Sequence, residues 1–191
     1  MPAQKERAMF RAMLLGAVLT GVTFAPAVMG ASHKEEFHAV FSGFNEVGGL
    51  NAQTGAILSD GRAVLDLRLD RTNQTLTFVL KYSGLSAPVT QAHIHFGKVH
   101  MAGGVMVFFC SNLPSAPAGT QPCPASGGTV TGTLSGANVL PIAGQNVTAG
   151  DFQAIADALE SDTAYANIHT SAFPAGEIRG EIRRGFGFHE D

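Results

Sequence analysis

The sequence predicts an all-β domain, an antiparallel sandwich or barrel with one short helix, and three observations carry that prediction. Apolar and polar residues alternate with period two through most of the chain, as they do in strands with one buried face. There are 23 glycines, and only 14% of residues are charged against 45% hydrophobic, which suits short strands and tight turns better than a helical bundle. A single stretch has helical spacing.

Taken in order, Phe37, Ala39 and Phe41 alternate with His38, Val40 and Ser42 in a first strand. Over Arg62–Asp70, Ala63, Leu65, Leu67 and Leu69 face one way, and Arg62, Asp66, Arg68 and Asp70 the other. Leu76, Phe78, Leu80 and Tyr82 repeat the pattern after a turn at Arg71-Thr72-Asn73-Gln74, which makes a hairpin. Further strands are expected at Val89–Phe96, Gly104–Cys110 and Gly128–Ser135. The helix follows: Thr148 is placed as its N-cap, and Phe152, Ile155, Ala156 and Leu159 recur at helical spacing. Ala164–Thr170 and a closing strand over Gly176–Arg184 complete the series. In the closing strand Glu177, Arg179, Glu181 and Arg183 share one face, which reads as a solvated ladder of alternating charge opposite Ile178 and Ile182.

The length of 191 residues accommodates one ordinary domain plus a targeting segment. Lys5, Arg7 and Arg11 precede an uncharged apolar run over Ala12–Phe24, and small residues follow at Ala25-Pro26-Ala27 and Gly30-Ala31. That order is the order of a secretory signal, and the run is too short to span a bilayer comfortably. The expected organisation is a signal peptide over residues 1–31 and one β domain over residues 32–191. The mature chain would have no membrane span and would be secreted or periplasmic. A formal charge of −3 with no basic tract argues against nucleic acid as a partner.

Two cysteines, Cys110 and Cys123, flank a loop rich in Pro, Ser and Gly. In an exported chain this reads as a loop-closing disulfide, and the spacing matches no zinc pattern.

Seven histidines are unevenly spread. His93 and His95 form His-Ile-His on an expected strand, so both rings leave the same face while Ile94 points the other way. His169, after Ile168, follows the same logic. With Ala92 and Ile94 in the core, the imidazoles are expected on the outer face as a surface site. His-x-His alone is a weak signal, because exposed histidines on strands are common. A third His on an adjacent strand would strengthen it. Imidazole is a borderline ligand suited to copper or zinc. His100 and Met101, in the Gly-flanked loop after the triplet, are candidates for a further ligand.

The segments Ala92-His93-Ile94-His95, Gly128-Thr129-Val130-Thr131-Gly132-Thr133-Leu134, and Asn167-Ile168-His169-Thr170 with Phe173-Pro174-Ala175-Gly176-Glu177-Ile178-Arg179-Gly180 together resemble the CHRD domain. This module is named for chordin and occurs in many exported bacterial proteins. Phe41-Ser42-Gly43-Phe44-Asn45-Glu46-Val47 resembles that family's start. The resemblance implies an immunoglobulin-like sandwich or barrel. The layout of His93, His95 and His169 is also similar to that of the copper ligands in copper–zinc superoxide dismutases, which would make the fold superoxide-dismutase-like. No His/Asp set for a zinc subsite accompanies them, so the likeness supports copper binding and not dismutase activity.

The expected function is therefore an exported metal-binding protein, holding copper, or else zinc, for delivery, storage or detoxification. The alternative, of a different class, is an extracellular adhesion or protein-interaction module without metal, binding extracellular or periplasmic proteins. A binding protein is expected ahead of an enzyme. An enzymatic variant would use an open copper position for redox chemistry. Ser-His-Asp hydrolysis is the weakest reading, since no Gly-x-Ser-x-Gly nucleophile elbow occurs and the acidic residues lie in strand ladders.

Overall fold

The computed structural model describes residues 34–47 and 55–185, so the expected signal peptide and His189 lie outside the described residues. The period-two segments form strands β1 (Lys34–Phe41), β2 (Arg62–Asp70), β3 (Thr75–Ser83), β4 (Val89–Phe96), β5 (Gly104–Ser111) and β6 (Gly128–Leu134). Helix α1 (Phe152–Glu160) and strands β7 (Ala164–Thr170), β8 (Ile178–Glu181) and β9 (Arg183–Arg184) follow. Two sheets result, one ordered β6-β3-β2-β1-β9 and the other β5-β4-β7-β8, with antiparallel pairing throughout.

Register follows from the apolar pattern. Leu67 pairs with Phe37 on one side and Phe78 on the other, and Leu65 pairs with Ala39 and Leu80. All six side chains are buried between the sheets. A one-residue slip would turn every one of them to the opposite face, at about 1.5–3 kcal/mol for each large side chain exposed. Ala92, Ile94, Ala166, Ile168 and Ile178 supply the facing layer from the second sheet. The β2–β3 turn is fixed by Asp70, whose carboxylate accepts from the backbone N–H and the side-chain amide of Asn73.

The fold is a sandwich, so the barrel alternative does not hold. On one flank the closing strand divides: β8 pairs with β7, β9 pairs with β1, and buried Ile182 carries the chain from one sheet to the other. An isolated bridge between Ser42 and Arg179 adds to this connection. On the opposite flank β5 and β6 do not pair. Gln121 instead donates its side-chain amide to the carbonyls of Phe109 in β5 and Thr131 in β6. The loop carrying Gln121 is closed by the Cys110–Cys123 disulfide, with Cα atoms 5.0 Å apart.

The helix begins later than expected. Asp151, not Thr148, is the N-cap, and its carboxylate accepts from the Ala154 N–H. Gly150, at φ 86°, turns the chain between the two candidates. Phe152, Ile155, Ala156 and Leu159 are buried as the spacing predicts. Among the described residues no helix is long and apolar enough to cross a membrane.

Candidate metal centre

The outer face of the second sheet holds the histidines. Strand alternation points Ala92 and Ile94 into the sandwich and projects His93 and His95 from the other side of β4. On β7, Ala166 and Ile168 point inward while Tyr165, Asn167 and His169 project outward. Because β4 and β7 are neighbours, His93 lies opposite Asn167 and His95 opposite Tyr165. One ring nitrogen from each of His93, His95 and His169 falls within 4.8 Å of the others. The rings touch directly, with centroids 4.5 Å apart for His93–His95 and 4.6 Å for His93–His169.

The expectation of a surface site is corrected here: the three histidines are only 2%, 8% and 6% exposed. This sheet face is polar, which is why alternation assigns it to solvent, but loops fold over it. Residues 97–103 form one cover. The Arg179 guanidinium donates to the carbonyls of Lys98 and Met101 and also pairs with Glu181. Arg179 lies 3.3 Å above the Tyr165 ring, and that ring stacks on His95 at 4.5 Å with an interplanar angle of 4°. The Tyr165 hydroxyl accepts from the Gly103 N–H. A Cβ at Gly103 would collide with the Phe96 carbonyl, so only glycine allows the loop to approach this closely.

A second cover is the segment after β7. The Pro174 carbonyl meets His169, and Gly176, at φ 126°, packs where a Cβ would strike the Glu46 carboxylate and the Asn167 amide. Glu46 is itself buried, brought in by the segment after β1. The expected solvated charge ladder is corrected as well, since Glu177 and Arg179 are fully buried. The Glu177 carboxylate accepts from the Ser59, Ser86 and Thr170 hydroxyls and from the Ser86 N–H, pinning the β7–β8 connection to the β1–β2 and β3–β4 loops. Burial alone would raise the Glu177 carboxyl, but these hydrogen bonds outweigh it and hold it below the usual range.

Burial keeps the imidazoles neutral. His95 is pushed down to about 4, chiefly by desolvation, with the Gly103 carbonyl and the Asn167 side chain opposing and the charges of His169 and Arg179 adding to the fall. His93 is lowered well below its ordinary value by burial and by its two histidine neighbours, and His169 is lowered by burial against its bond to Pro174. Neutral imidazole is the form that ligates a metal. His95 Nδ1 lies 2.8 Å from the Gly103 carbonyl and His169 Nδ1 lies 2.9 Å from that of Pro174. A carbonyl can only accept, so both Nδ1 atoms carry the proton and both Nε2 atoms present a bare lone pair. Backbone carbonyls holding the distal N–H in this way are the usual outer support of ligating histidines. His93 Nδ1 is buried with no hydrogen-bond partner. Such an orphan is costly unless another group satisfies it. The residues therefore fit a transition-metal ion.

His100 and Met101 are both exposed, and they do not belong to the three-histidine group. His100 adopts φ 62° at the loop's turn, and Met101 contributes its backbone carbonyl to Arg179. Tyr165, Asn167, Arg179 and Glu46 are the site residues that the alternation did not reveal. The glycines at 97, 103 and 104 were the available signal that a loop must lie close on this face.

A family model described as the CHRD domain matches residues 37–182, a span that contains all three histidines and both covering loops. No curated protein and no solved structure matches the chain. The chain belongs to the CHRD domain family.

Proposed function

We propose that this protein is an exported metal-binding protein that holds one transition-metal ion, copper in the first instance and zinc as the alternative, between His93, His95 and His169. The observation that carries this reading is the convergence of three buried imidazoles, with nitrogens within 4.8 Å of one another. Ligands at about 2.0–2.1 Å from an ion stand roughly 3.3–3.6 Å apart in tetrahedral or trigonal arrangements. The rings thus need only a small inward adjustment to share one ion. Imidazole nitrogen selects copper, zinc and their neighbours over magnesium or calcium. The disulfide supports an oxidising compartment and so export. A site roofed by packed loops suits holding an ion for storage, delivery or detoxification better than rapid turnover of a substrate.

The test is equilibrium titration of the metal-free protein with Cu(II) and with Zn(II), with bound metal measured by elemental analysis. One tightly held ion per chain, lost in the His93→Ala, His169→Ala double variant, is the expected result. Absence of stoichiometric binding would overturn the proposal and favour the protein-interaction reading.

A further inference from the structure

We infer that Asn167 is the fourth donor of this centre, and that its side-chain oxygen, aimed by Glu46, completes a closed three-nitrogen, one-oxygen set for a divalent cation. The inference rests on the metal-binding reading above and adds a ligand, a preferred charge state and a coordination type.

Hydrogen-bond valence singles out this residue. Asn167 Oδ1 lies 3.0 Å from His95 Nε2 and 3.1 Å from His169 Nε2. Both of those nitrogens are bare, since each ring has placed its single proton on the Nδ1 that faces a backbone carbonyl. Three lone-pair atoms thus converge with no proton among them, in a region closed to solvent. Such an arrangement is repulsive unless a cation, or a proton donated by a water or by a turned amide, occupies its focus. The separations are those of neighbouring ligands: donors at about 2.0–2.1 Å from one ion stand roughly 2.9–3.4 Å apart for angles between square and tetrahedral.

Turning the Asn167 amide over would offer Nδ2 to the two imidazoles and remove the conflict. Glu46 opposes that orientation. Its Oε2 lies 3.5 Å from Asn167 Nδ2, so the flipped amide would set one oxygen against a buried carboxylate. Gly176 closes the space beside both groups, because a side chain there would strike Glu46 and Asn167. Glu46 therefore acts as a positioning residue, and its negative charge compensates the cation.

The donor set also fixes the charge state and the type of site. An amide oxygen is a hard donor, and the three-histidine group contains neither thiolate nor thioether, so the set favours Cu(II) or Zn(II) over Cu(I). With four protein donors the centre has the closed form of a structural or holding site, lacking the open position that a catalytic one keeps for water.

The experiment compares the full chain with Asn167→Ala and Asn167→Asp, by competitive Cu(II) and Zn(II) titration and by electron paramagnetic resonance of the Cu(II) forms. Asn167→Ala is expected to weaken divalent binding at least tenfold, about the smallest loss seen when a metal centre loses a supporting group. Asn167→Asp keeps an oxygen at the ligand position but sets its other oxygen against Glu46, so it should bind more tightly than Asn167→Ala and shift the copper spectrum. If wild type binds one ion and Asn167→Ala binds it equally with an identical spectrum, Asn167 is not a ligand, while the three-histidine reading stands. If wild type binds no ion, the three-histidine reading itself falls. Should Asn167→Ala fail to fold, the Asn167→Asp spectrum decides: a spectrum unchanged from wild type overturns the inference.

Discussion

Acid should destabilise the metal-free domain through its buried histidines, and the size of the effect follows from His95. Its folded pKa is about 4 against 6.5 for the ordinary group. Between those values the unfolded chain binds a proton that the folded ring excludes, so stability falls as pH falls. Above about pH 6.5 the penalty is absent. Below about pH 4 it is complete at about 3 kcal/mol, because each pH step between the two values is worth about 1.36 kcal/mol. By pH 5 His95 alone should have cost about 2 kcal/mol. His93 and His169 are lowered as well and add to the loss. Glu177 is lowered below the ordinary carboxyl value of 4.5, so its contribution is lost only at pH more acid than the window from about 5 to 7. The assay is urea unfolding of the metal-free protein at half-unit pH steps from about 7 to 5, repeated on His95→Gln. Wild type should lose at least about 2 kcal/mol across the window, and His95→Gln should lose markedly less. A wild-type stability flat from pH 7 to 5 would show that the rings are not held neutral in the fold, and the reasoning about the site would fail.

Other consequences concern the cover as much as the ligands. His93→Ala with His169→Ala removes two buried rings and should cost at least about 2 kcal/mol for each in thermal or chemical unfolding, as well as metal binding. The same pair placed on an open surface would change stability little. Arg179→Ala leaves the Glu181 carboxylate without its guanidinium and frees the carbonyls of Lys98 and Met101. It should destabilise by about 3–5 kcal/mol and speed amide exchange at Gly103, measured by hydrogen exchange. Replacing both Cys110 and Cys123 with Ala should cost about 3 kcal/mol by denaturant titration, leaving metal stoichiometry at one, because the disulfide holds the opposite flank from the β8–β9 crossover.

Much of this architecture was legible in the sequence, for a physical reason. The alternation of Leu65, Leu67 and Leu69 with polar neighbours specifies both strand and register, and the structure pairs those residues as the pattern requires. The same alternation correctly set His93, His95 and His169 opposite Ile94 and Ile168. It could not say what lies over that opposite face. Polar residues such as Arg179 and Glu177 register as solvent-facing in any periodicity, and their burial depends on contacts from Met101, Ser59 and Ser86, far away in the chain. Strand order was hidden for the same reason: nothing local to Val89–Phe96 shows that Ala164–Thr170 pairs with it. The division of the closing strand at Ile182 is likewise a property of two sheets competing for one segment. Asn167 stood within a recognised motif, yet its role appears only when Glu46 and the two Nε2 atoms are seen around it.

The most direct test of the central claim is anomalous diffraction at the copper edge from crystals of the protein loaded with one equivalent of Cu(II). A single strong peak enclosed by His93, His95, His169 and Asn167 is the expected result. A peak elsewhere on the chain, or none with the four side chains ordered around an empty centre, would contradict it.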